Sequence, residues 1–193
     1  MPSFHSHSAH QSAARHSEEL SSSELHIPSV PQGGSVFGLV WPGKEQAAAQ
    51  ATKKATRTRT LMSGPQSAPH SVTVADNLDA LKDFIAQGMR ADIIYIDPPY
   101  NTGKDFVYRD NFRQRREMRS EHFGQWHANW LSMMLPRLIL AREVLADTGF
   151  IIVSIGESES AHLRLLLNEV FGEDCFAGQF IWKKGGTGKN DSK

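Results

Sequence analysis

The sequence has little of what marks secreted, membrane-spanning or disulfide-bonded proteins. Its single cysteine, Cys175, excludes an internal disulfide and a thiolate zinc cluster. No run approaches the roughly 20 consecutive apolar residues that a membrane span requires. Residues 1–15 are rich in Ser and His and contain no apolar segment of a secretory signal. We therefore expect a soluble, cytoplasmic protein with no membrane contact.

An excess of charge of either sign is also missing. The 21 basic and 21 acidic residues cancel, so net charge gives no argument for nucleic-acid binding, which must come from a local basic patch. Hydrophobic residues make up 39% of the 193 residues, which is enough for one domain with a core but not comfortably for two.

The composition changes near Ser71. Residues 1–70 are dominated by Ser, Ala, Gln, Gly, Pro and His, and such a segment buries too little apolar surface to offset its ordering entropy. We predict that most of it is disordered. Within it, residues 36–42 form an apolar island suited to docking on the domain, residues 46–52 predict a short helix, and residues 53–60 form a basic linker.

Three histidines in the N-terminal tail, His5, His7 and His10, suggest a metal site at first sight. A flexible tail gives them no fixed geometry and no supporting hydrogen bonds, so we interpret them as part of a solvated segment. The sequence predicts no metal site.

From Ser71 onward, strand and helix patterns alternate. This order predicts an α/β domain over residues 71–193, with a mostly parallel sheet and helices on both faces. Strands are predicted at 72–74, 93–96, 150–155 and 176–184, the second of them buried on both faces because it is continuously apolar. Helices are predicted from a cap at Asp76 or Asn77 to Gly88, over 130–146, and from a cap at Ser158 to Gly172.

Two interruptions are expected in this pattern. Pro136 predicts a kink or a helix start, because a proline inside a helix costs ~3 kcal/mol. Asp147-Thr148-Gly149 predicts a turn before the third strand.

A rigid polar loop, Asp97-Pro98-Pro99-Tyr100-Asn101, follows the most hydrophobic strand. In open α/β sheets, ligands bind beyond the carboxyl ends of the strands. The two prolines remove two N–H donors and fix two φ angles, which leaves a stiff loop with outward carbonyls. A carboxylate and a carbonyl can each accept one N–H of an exocyclic amine, and Tyr100 can stack on a base rotated out of a duplex. The alternative is a stiff turn with no catalytic role.

The surrounding residues make a family resemblance specific. Residues 97–108, followed by Asp110-Asn111-Phe112, resemble the catalytic stretch of β-class adenine-N6 DNA methyltransferases, and most of all the modification subunits of type III restriction-modification systems. Residues 39–44 and 75–81 are similar to two further segments of those subunits, with Ala75 in place of a glycine. The resemblance covers roughly residues 36–193.

This resemblance implies a partial Rossmann-like, S-adenosylmethionine-dependent methyltransferase fold and a role for each residue of the loop. Asp97 and the carbonyl of Pro98 are expected to hold the adenine amino group. Pro99 is expected to keep the loop rigid, and Tyr100 to stack on the flipped base.

The resemblance also implies a site for the methyl donor, S-adenosyl-L-methionine. Asp76 is expected to reach the adenine ring of this cofactor, and Asn77 and Asp97 are assigned to the same site. A plain helix cap is the alternative interpretation of Asp76.

A basic loop follows the catalytic stretch. Residues 104–119 carry a net charge of +3, from six basic and three acidic residues, with aromatic residues interleaved. The loop predicts contacts with the phosphates of double-stranded DNA, with a solvated loop as the alternative. The candidate DNA-binding residues are Lys104, Arg109, Arg113, Arg115 and Arg116.

The glycine-rich loop that cradles the donor in this family is not found. Residues 185–188 contain the only late glycine cluster, which we interpret as a loop, and the acidic residue expected to bind the donor ribose is missing too. Since family members are far longer, we expect an N-terminal fragment that is inactive or weak alone.

The resemblance suggests a restriction subunit or a full-length modification subunit as a protein partner. Two alternatives remain open. One is a non-catalytic DNA-binding or accessory remnant, and the other is the same chemistry on cytosine N4 or a protein amide, which the acidic Asp97 disfavours.

Overall fold

The computed structural model describes residues 38–55, 59–63, 70–102 and 124–183. Four helices and four strands are formed by these residues, with a short 3-10 turn near the end. The helices are α1 (Lys44–Ala48), α2 (Asn77–Ala86), α3 (Gln125–Val144) and α4 (Glu157–Phe171). The strands are β1 (Arg59–Ser63), β2 (His70–Val74), β3 (Ala91–Ile96) and β4 (Leu145–Val153), and the 3-10 turn is Glu173–Cys175.

Helix α3 is the centre of the fold, and α1, α2 and α4 all pack against it. The apolar stripe predicted within residues 130–146 is confirmed, because Leu131, Met134, Leu135, Leu138 and Val144 are all buried. Trp130, Ile139 and Leu140 join them, so α3 is apolar around most of its circumference, as expected of a helix enclosed by others. Leu163, Leu166 and Val170 of α4 complete this core.

Strands β3 and β4 pair in parallel and are connected through α3. This pair confirms a mixed α/β domain with a parallel sheet. The predicted strand at 72–74 lies within β2, which pairs with β1 in a separate antiparallel sheet. That pairing was not predicted, because Arg59-Thr60 falls within the segment interpreted as a basic linker.

The prediction that 93–96 is buried on both faces is wrong for the described residues. Ile93 and Tyr95 are 65% and 62% exposed, and their partners across the pair, Phe150 and Ile152, are 58% and 50% exposed. The opposite face packs on the core through Ile96, Ile151 and Val153. A second helix layer therefore stays a prediction, since the described helices cover one face.

Part of the N-terminal segment packs on the domain. Trp41 is 8% exposed, and its indole Nε1 donates a hydrogen bond of 2.8 Å to Ser132 Oγ on α3. Lys44 forms an ion pair with Glu169 of α4 and donates to the Leu39 carbonyl at 2.7 Å. The expected docking of the apolar island is confirmed at Trp41, and the short helix begins two residues before the predicted 46–52.

Pro136 lies inside α3 without starting it, so of the two expected interruptions the helix start is wrong and the kink stays a prediction. The proline ring is fully buried, and its apolar contacts offset part of the cost of the missing N–H. The carbonyl of Met133, one turn earlier, accepts a hydrogen bond of 2.8 Å from the Arg137 guanidinium.

The predicted turn at 147–149 lies inside β4, where the ladder jumps from the pair Ala91–Leu145 to the pair Ile93–Phe150. A Cβ on Gly149 would lie 2.9 Å from Leu145 Cδ1, so a side chain here requires a local shift.

The strand predicted over 176–184 is not formed by residues 176–183, where no strand is present. Phe180, Ile181 and Trp182 are 88–99% exposed. A β-pattern needs a neighbouring ladder to become a strand, and the described residues offer none here.

No helix within the described ranges combines the length and apolar character that crossing a bilayer requires.

The two faces of β4 should differ in their contribution to stability. We expect Ile151→Ala to lower the free energy of unfolding by about 2 kcal/mol or more, because it leaves a cavity against the core. Ile152→Ala, its neighbour on the exposed face, should cost clearly less. Urea denaturation of both variants measures the difference, and equal losses would mean that the outer face is covered.

Candidate functional site

The candidate site lies at the carboxyl ends of β3 and β4, where two loops meet. Ile96 and Val153 are paired at the end of the ladder, and Ser154 continues it by donating its N–H to the Ile96 carbonyl at 3.0 Å. The hydroxyls of Tyr95 and Ser154 also form a hydrogen bond of 2.8 Å. The loop 97–101 after β3 and the loop 154–156 after β4 are therefore held side by side, as expected for a ligand site of a parallel sheet.

The backbone of the loop 97–101 is anchored by two side chains. The Trp130 indole Nε1 donates to the carbonyl of Pro99 at 2.7 Å, and the Ser158 hydroxyl donates to the carbonyl of Tyr100. The Pro98 carbonyl has no hydrogen-bond donor among the described residues. The predicted cap at Ser158 is wrong, because Gly156 is the N-cap of α4 and Ser158 serves this loop instead.

The side chains of Asp97 and Tyr100 lie close together within the loop 97–101. A hydrogen bond to the Asp97 carboxylate, followed by burial and the nearby negative charge, raises the pKa of the Tyr100 phenol. The ring of Tyr100 lies against Gly156, where an added Cβ would stand 3.2 Å from its Cδ2 atom. Asp97 is exposed and Tyr100 is 37% exposed, so both groups are accessible to a ligand.

Asn101 connects the loop to a buried polar cluster that the sequence analysis did not single out. Asn101 has a left-handed backbone with φ 53°, which Asn tolerates better than most residues. Its side chain donates to Glu159, which has no solvent exposure. His127 Nδ1 lies 2.8 Å from Glu159 Oε1, and His162 Nδ1 lies 2.9 Å from Glu159 Oε2.

One part of this cluster carries a sequence signal. Glu159 and His162 are three residues apart and therefore share one face of a helix. His127 and Asn101 are distant in sequence and belong to separate elements, so their proximity could not be read from spacing.

Asp76 is the N-cap of α2, because its Oδ1 accepts the Leu78 N–H at 2.8 Å. Arg137 of α3 binds the same carboxylate at 3.0 and 3.3 Å and also donates to Asn77 Oδ1 at 2.6 Å. The helix-cap interpretation is thus confirmed as geometry, and the assignment of Asp76 and Asn77 to a methyl donor stays a prediction.

The loop 97–101 and the start of α2 both bind α3, at residues that are seven positions apart. Trp130 binds the loop 97–101, and Arg137 binds the start of α2. Seven residues make almost two full turns and a rise of roughly 10 Å, so both side chains leave α3 on nearly the same side. One helix therefore sets the distance between Asp97 and Asp76.

The candidate DNA-binding residues lie outside the described residues. These are Lys104, Arg109, Arg113, Arg115 and Arg116. The glycine cluster at 185–188 also lies outside them, so its interpretation as a loop stays a prediction.

A rigid strand-end loop with an accessible carboxylate and an aromatic ring, on an α/β scaffold, fits the class of nucleic-acid base-modifying proteins. Comparison with known proteins makes this class specific. The profile of the DNA methylase family matches residues 91–193, which is more than half of the chain. The chain therefore belongs to the DNA methylase family.

Several known proteins are similar in sequence to this chain. The type III restriction-modification enzyme StyLTI Mod subunit of Salmonella typhimurium is 36% identical over 191 residues, covering 87% of this chain and 29% of its own length. Type II methyltransferase M.KpnI of Klebsiella pneumoniae is 40% identical over 124 residues, covering 64% and 29%. The EcoP15I Mod subunit of Escherichia coli is 33% identical over 172 residues, covering 76% and 27%. The chain spans less than a third of each of these relatives.

The contact between Asp97 and Tyr100 should be visible in tyrosine ionisation. Because the pKa of Tyr100 is raised, its hydrogen bond should be fully present below the ordinary phenol value of 10.0 and be lost only as the pH rises through the raised value. Ultraviolet titration of phenolate should show this late ionisation. We expect Asp97→Ala to move it toward the ordinary value and Tyr100→Phe to remove it. An unchanged titration in Asp97→Ala would contradict the contact.

Proposed function

We propose that this chain forms the target-base part of a site-specific DNA methyltransferase that modifies the N6 amino group of adenine in duplex DNA. The observation that carries the proposal is the loop 97–101. It presents an accessible carboxylate at Asp97, a carbonyl at Pro98 with no donor in the described part of the chain, and the half-exposed ring of Tyr100.

These groups suit an exocyclic amine. The nitrogen of an adenine amino group is a poor nucleophile, because its lone pair is delocalised into the ring. The Asp97 carboxylate and the Pro98 carbonyl each accept one N–H, which favours a pyramidal nitrogen with a directed lone pair. We assign to Asp97 the uptake of the proton that the amine loses. The site acts by positioning and electrostatics and needs no covalent bond to the protein.

Anchoring of the loop supports this mechanism. Trp130 and Ser158 hold the carbonyls of Pro99 and Tyr100, whereas the neighbouring Pro98 carbonyl has no donor among the described residues. Gly156 lets the Tyr100 ring pack closely against the second loop. A flipped base stacking on Tyr100 therefore meets acceptors whose positions are already fixed.

S-adenosyl-L-methionine is the donor that the family resemblance implies, and it supplies an electrophilic methyl group. Asp76 fits the adenine ring of this donor, since its side chain is 58% exposed. A carboxylate offers about four acceptor positions, and the contacts with Leu78 and Arg137 use three. The remaining position can accept an amino N–H of the donor, with Asn77 beside it.

The choice of adenine rests on the acidic residue at position 97 in the family resemblance. Duplex DNA is the proposed substrate, with Lys104, Arg109, Arg113, Arg115 and Arg116 as its phosphate contacts. Relatives named as Mod subunits of type III restriction-modification enzymes favour a restriction subunit, or a longer modification subunit, as the protein partner. A helix layer on the outer face of β3 and β4, which the described helices leave uncovered, belongs to this proposal only for the chain extended by the later residues of its relatives.

Asp97→Ala should lower methyl transfer from labelled S-adenosylmethionine to adenine-containing duplex DNA by at least about 100-fold, the loss typical of one preorganised polar contact at a reacting centre. Because the chain spans less than a third of its relatives, the assay is run on the chain alone and on a chimaera extended with the later residues of the StyLTI Mod subunit. Asp92→Ala, an exposed aspartate on β3, is the matched control.

Three outcomes separate the hypotheses. Transfer by the chimaera that depends on Asp97 supports the proposal, and transfer by the chain alone shows that it holds the donor unaided. DNA binding without transfer in either form favours a non-catalytic remnant. N4-methylcytosine as the product would replace adenine as the target. Wild-type rates in Asp97→Ala would remove the proposed role of the loop.

Tyr100→Ala should weaken binding of a duplex with a mismatched target adenine by about 1–3 kcal/mol, the usual worth of base–aromatic stacking. Tyr100→Phe keeps the ring and should bind within a few-fold of wild type, although its contact with Asp97 is lost. Fluorescence anisotropy at fixed salt measures both, with donor affinity as the second readout. Equal losses in the two variants would assign the effect to the hydroxyl instead of stacking.

A further inference from the structure

We propose that Asn101, His127, Glu159 and His162 form a binding site for one divalent transition-metal ion of the zinc type. The inference does not depend on the methyltransferase assignment. These four residues were not expected to bind a metal from the sequence, where the histidines of the N-terminal tail were the only candidates and no metal site was predicted.

The first observation is the convergence of ligand atoms. One nitrogen from each of His127 and His162 and a carboxylate oxygen of Glu159 all lie within 4.8 Å of one another. The two imidazole rings stand 4.3 Å apart and are tilted by 33°. Two imidazoles and one carboxylate are a ligand set that zinc accepts, at metal–ligand distances of about 2.0–2.2 Å.

The second observation is that three buried polar atoms in the same cluster have no hydrogen-bond partner among the described residues. These atoms are Asn101 Oδ1, Glu159 Oε2 and His162 Nδ1. His162 Nδ1 is 2.9 Å from Glu159 Oε2, but the geometry does not make a hydrogen bond. Buried polar atoms without partners cost about 1–3 kcal/mol each. A cation at this point satisfies all three, since each atom carries a lone pair.

Charge gives a third argument. Glu159 has no solvent exposure, and its ion-pair partners among the described residues are the two histidines. A buried carboxylate requires a compensating charge or several good hydrogen bonds. A divalent ion bound by neutral imidazoles supplies that charge directly.

The ligand types select the class of ion. Imidazole nitrogens favour zinc, cobalt, nickel and copper over magnesium and calcium, which prefer oxygen ligands throughout. Asn101 Oδ1 is the candidate fourth ligand, because its amide already donates to Glu159. With four protein ligands the site is closed, which is typical of a structural metal.

Such a metal joins three elements at the candidate active loop. Asn101 directly follows Tyr100, His127 lies in the first turn of α3, and Glu159 and His162 lie at the start of α4. An ion bound here therefore connects the end of the loop 97–101 to α3 and α4. We expect metal binding to raise the thermal stability of the chain, because the ligands are brought together only in the folded state.

The test uses the full chain carrying His5→Ala, His7→Ala and His10→Ala, so that the N-terminal histidines cannot bind the probe. After treatment with a chelator, Co²⁺ and Zn²⁺ are added separately. We expect one equivalent of Co²⁺ with the visible absorption of a tetrahedral site, displacement by Zn²⁺, and a higher melting temperature with either metal.

Glu159→Gln and His162→Asn should each weaken Zn²⁺ binding by at least about tenfold, because loss even of an indirect partner of a metal ligand costs 10–100-fold. His70→Asn, an exposed histidine on β2, is the matched control and should bind as the parent does. Circular dichroism establishes that each variant is folded.

Two results would overturn the proposal. The first is a folded, chelator-treated parent that takes up no stoichiometric metal, which would make the cluster a hydrogen-bonded network. The second is binding that persists unchanged in both folded variants, which would place the metal elsewhere. Because all readouts are spectroscopic or thermal, they are independent of whether the chain transfers methyl groups.

Discussion

The indole of Trp130 belongs both to the hydrophobic core and to the candidate site. Its side chain is fully buried in α3, and its N–H points out of the core to the carbonyl of Pro99 at 2.7 Å. Leaving such a donor unpaired costs about 1–3 kcal/mol, so the loop cannot leave α3 without a penalty. Two prolines stiffen the loop from the other side. The hydrogen bond from Trp130 to the Pro99 carbonyl therefore couples the packing of the core to the placement of Asp97.

Elements whose signal lies in a short stretch of sequence could be predicted. The apolar stripe of α3, the Asp76 cap and the parallel strands on either side of α3 each follow from a short pattern. Elements whose structure depends on a partner distant in sequence could not be predicted. Ser158 leaves its expected capping role because the Tyr100 carbonyl lies within reach. Pro136 continues a helix because its ring is buried, and residues 176–183 form no strand because no ladder adjoins them in the described part of the chain.

The same division holds within the site. The loop 97–101 is visible in the sequence because five adjacent residues carry it. The partners that support it are spread over α3 and α4, and only the spacing of Glu159 and His162 hinted at them. The outer face of the sheet is a second feature that could not be predicted from the sequence. A continuous apolar run predicts burial on both faces, but Ile93 and Tyr95 remain exposed, because burial depends on what stands opposite.

The two attachment points on α3 have a consequence for which changes of length this chain can accept during evolution. Trp130 and Arg137 keep a common side of the helix only because seven residues nearly complete two turns. A one-residue insertion between them would rotate Arg137 by about 100° away from Trp130 and disconnect the start of α2 from the loop 97–101. Insertions or deletions of a single residue between Trp130 and Arg137 should therefore be selected against.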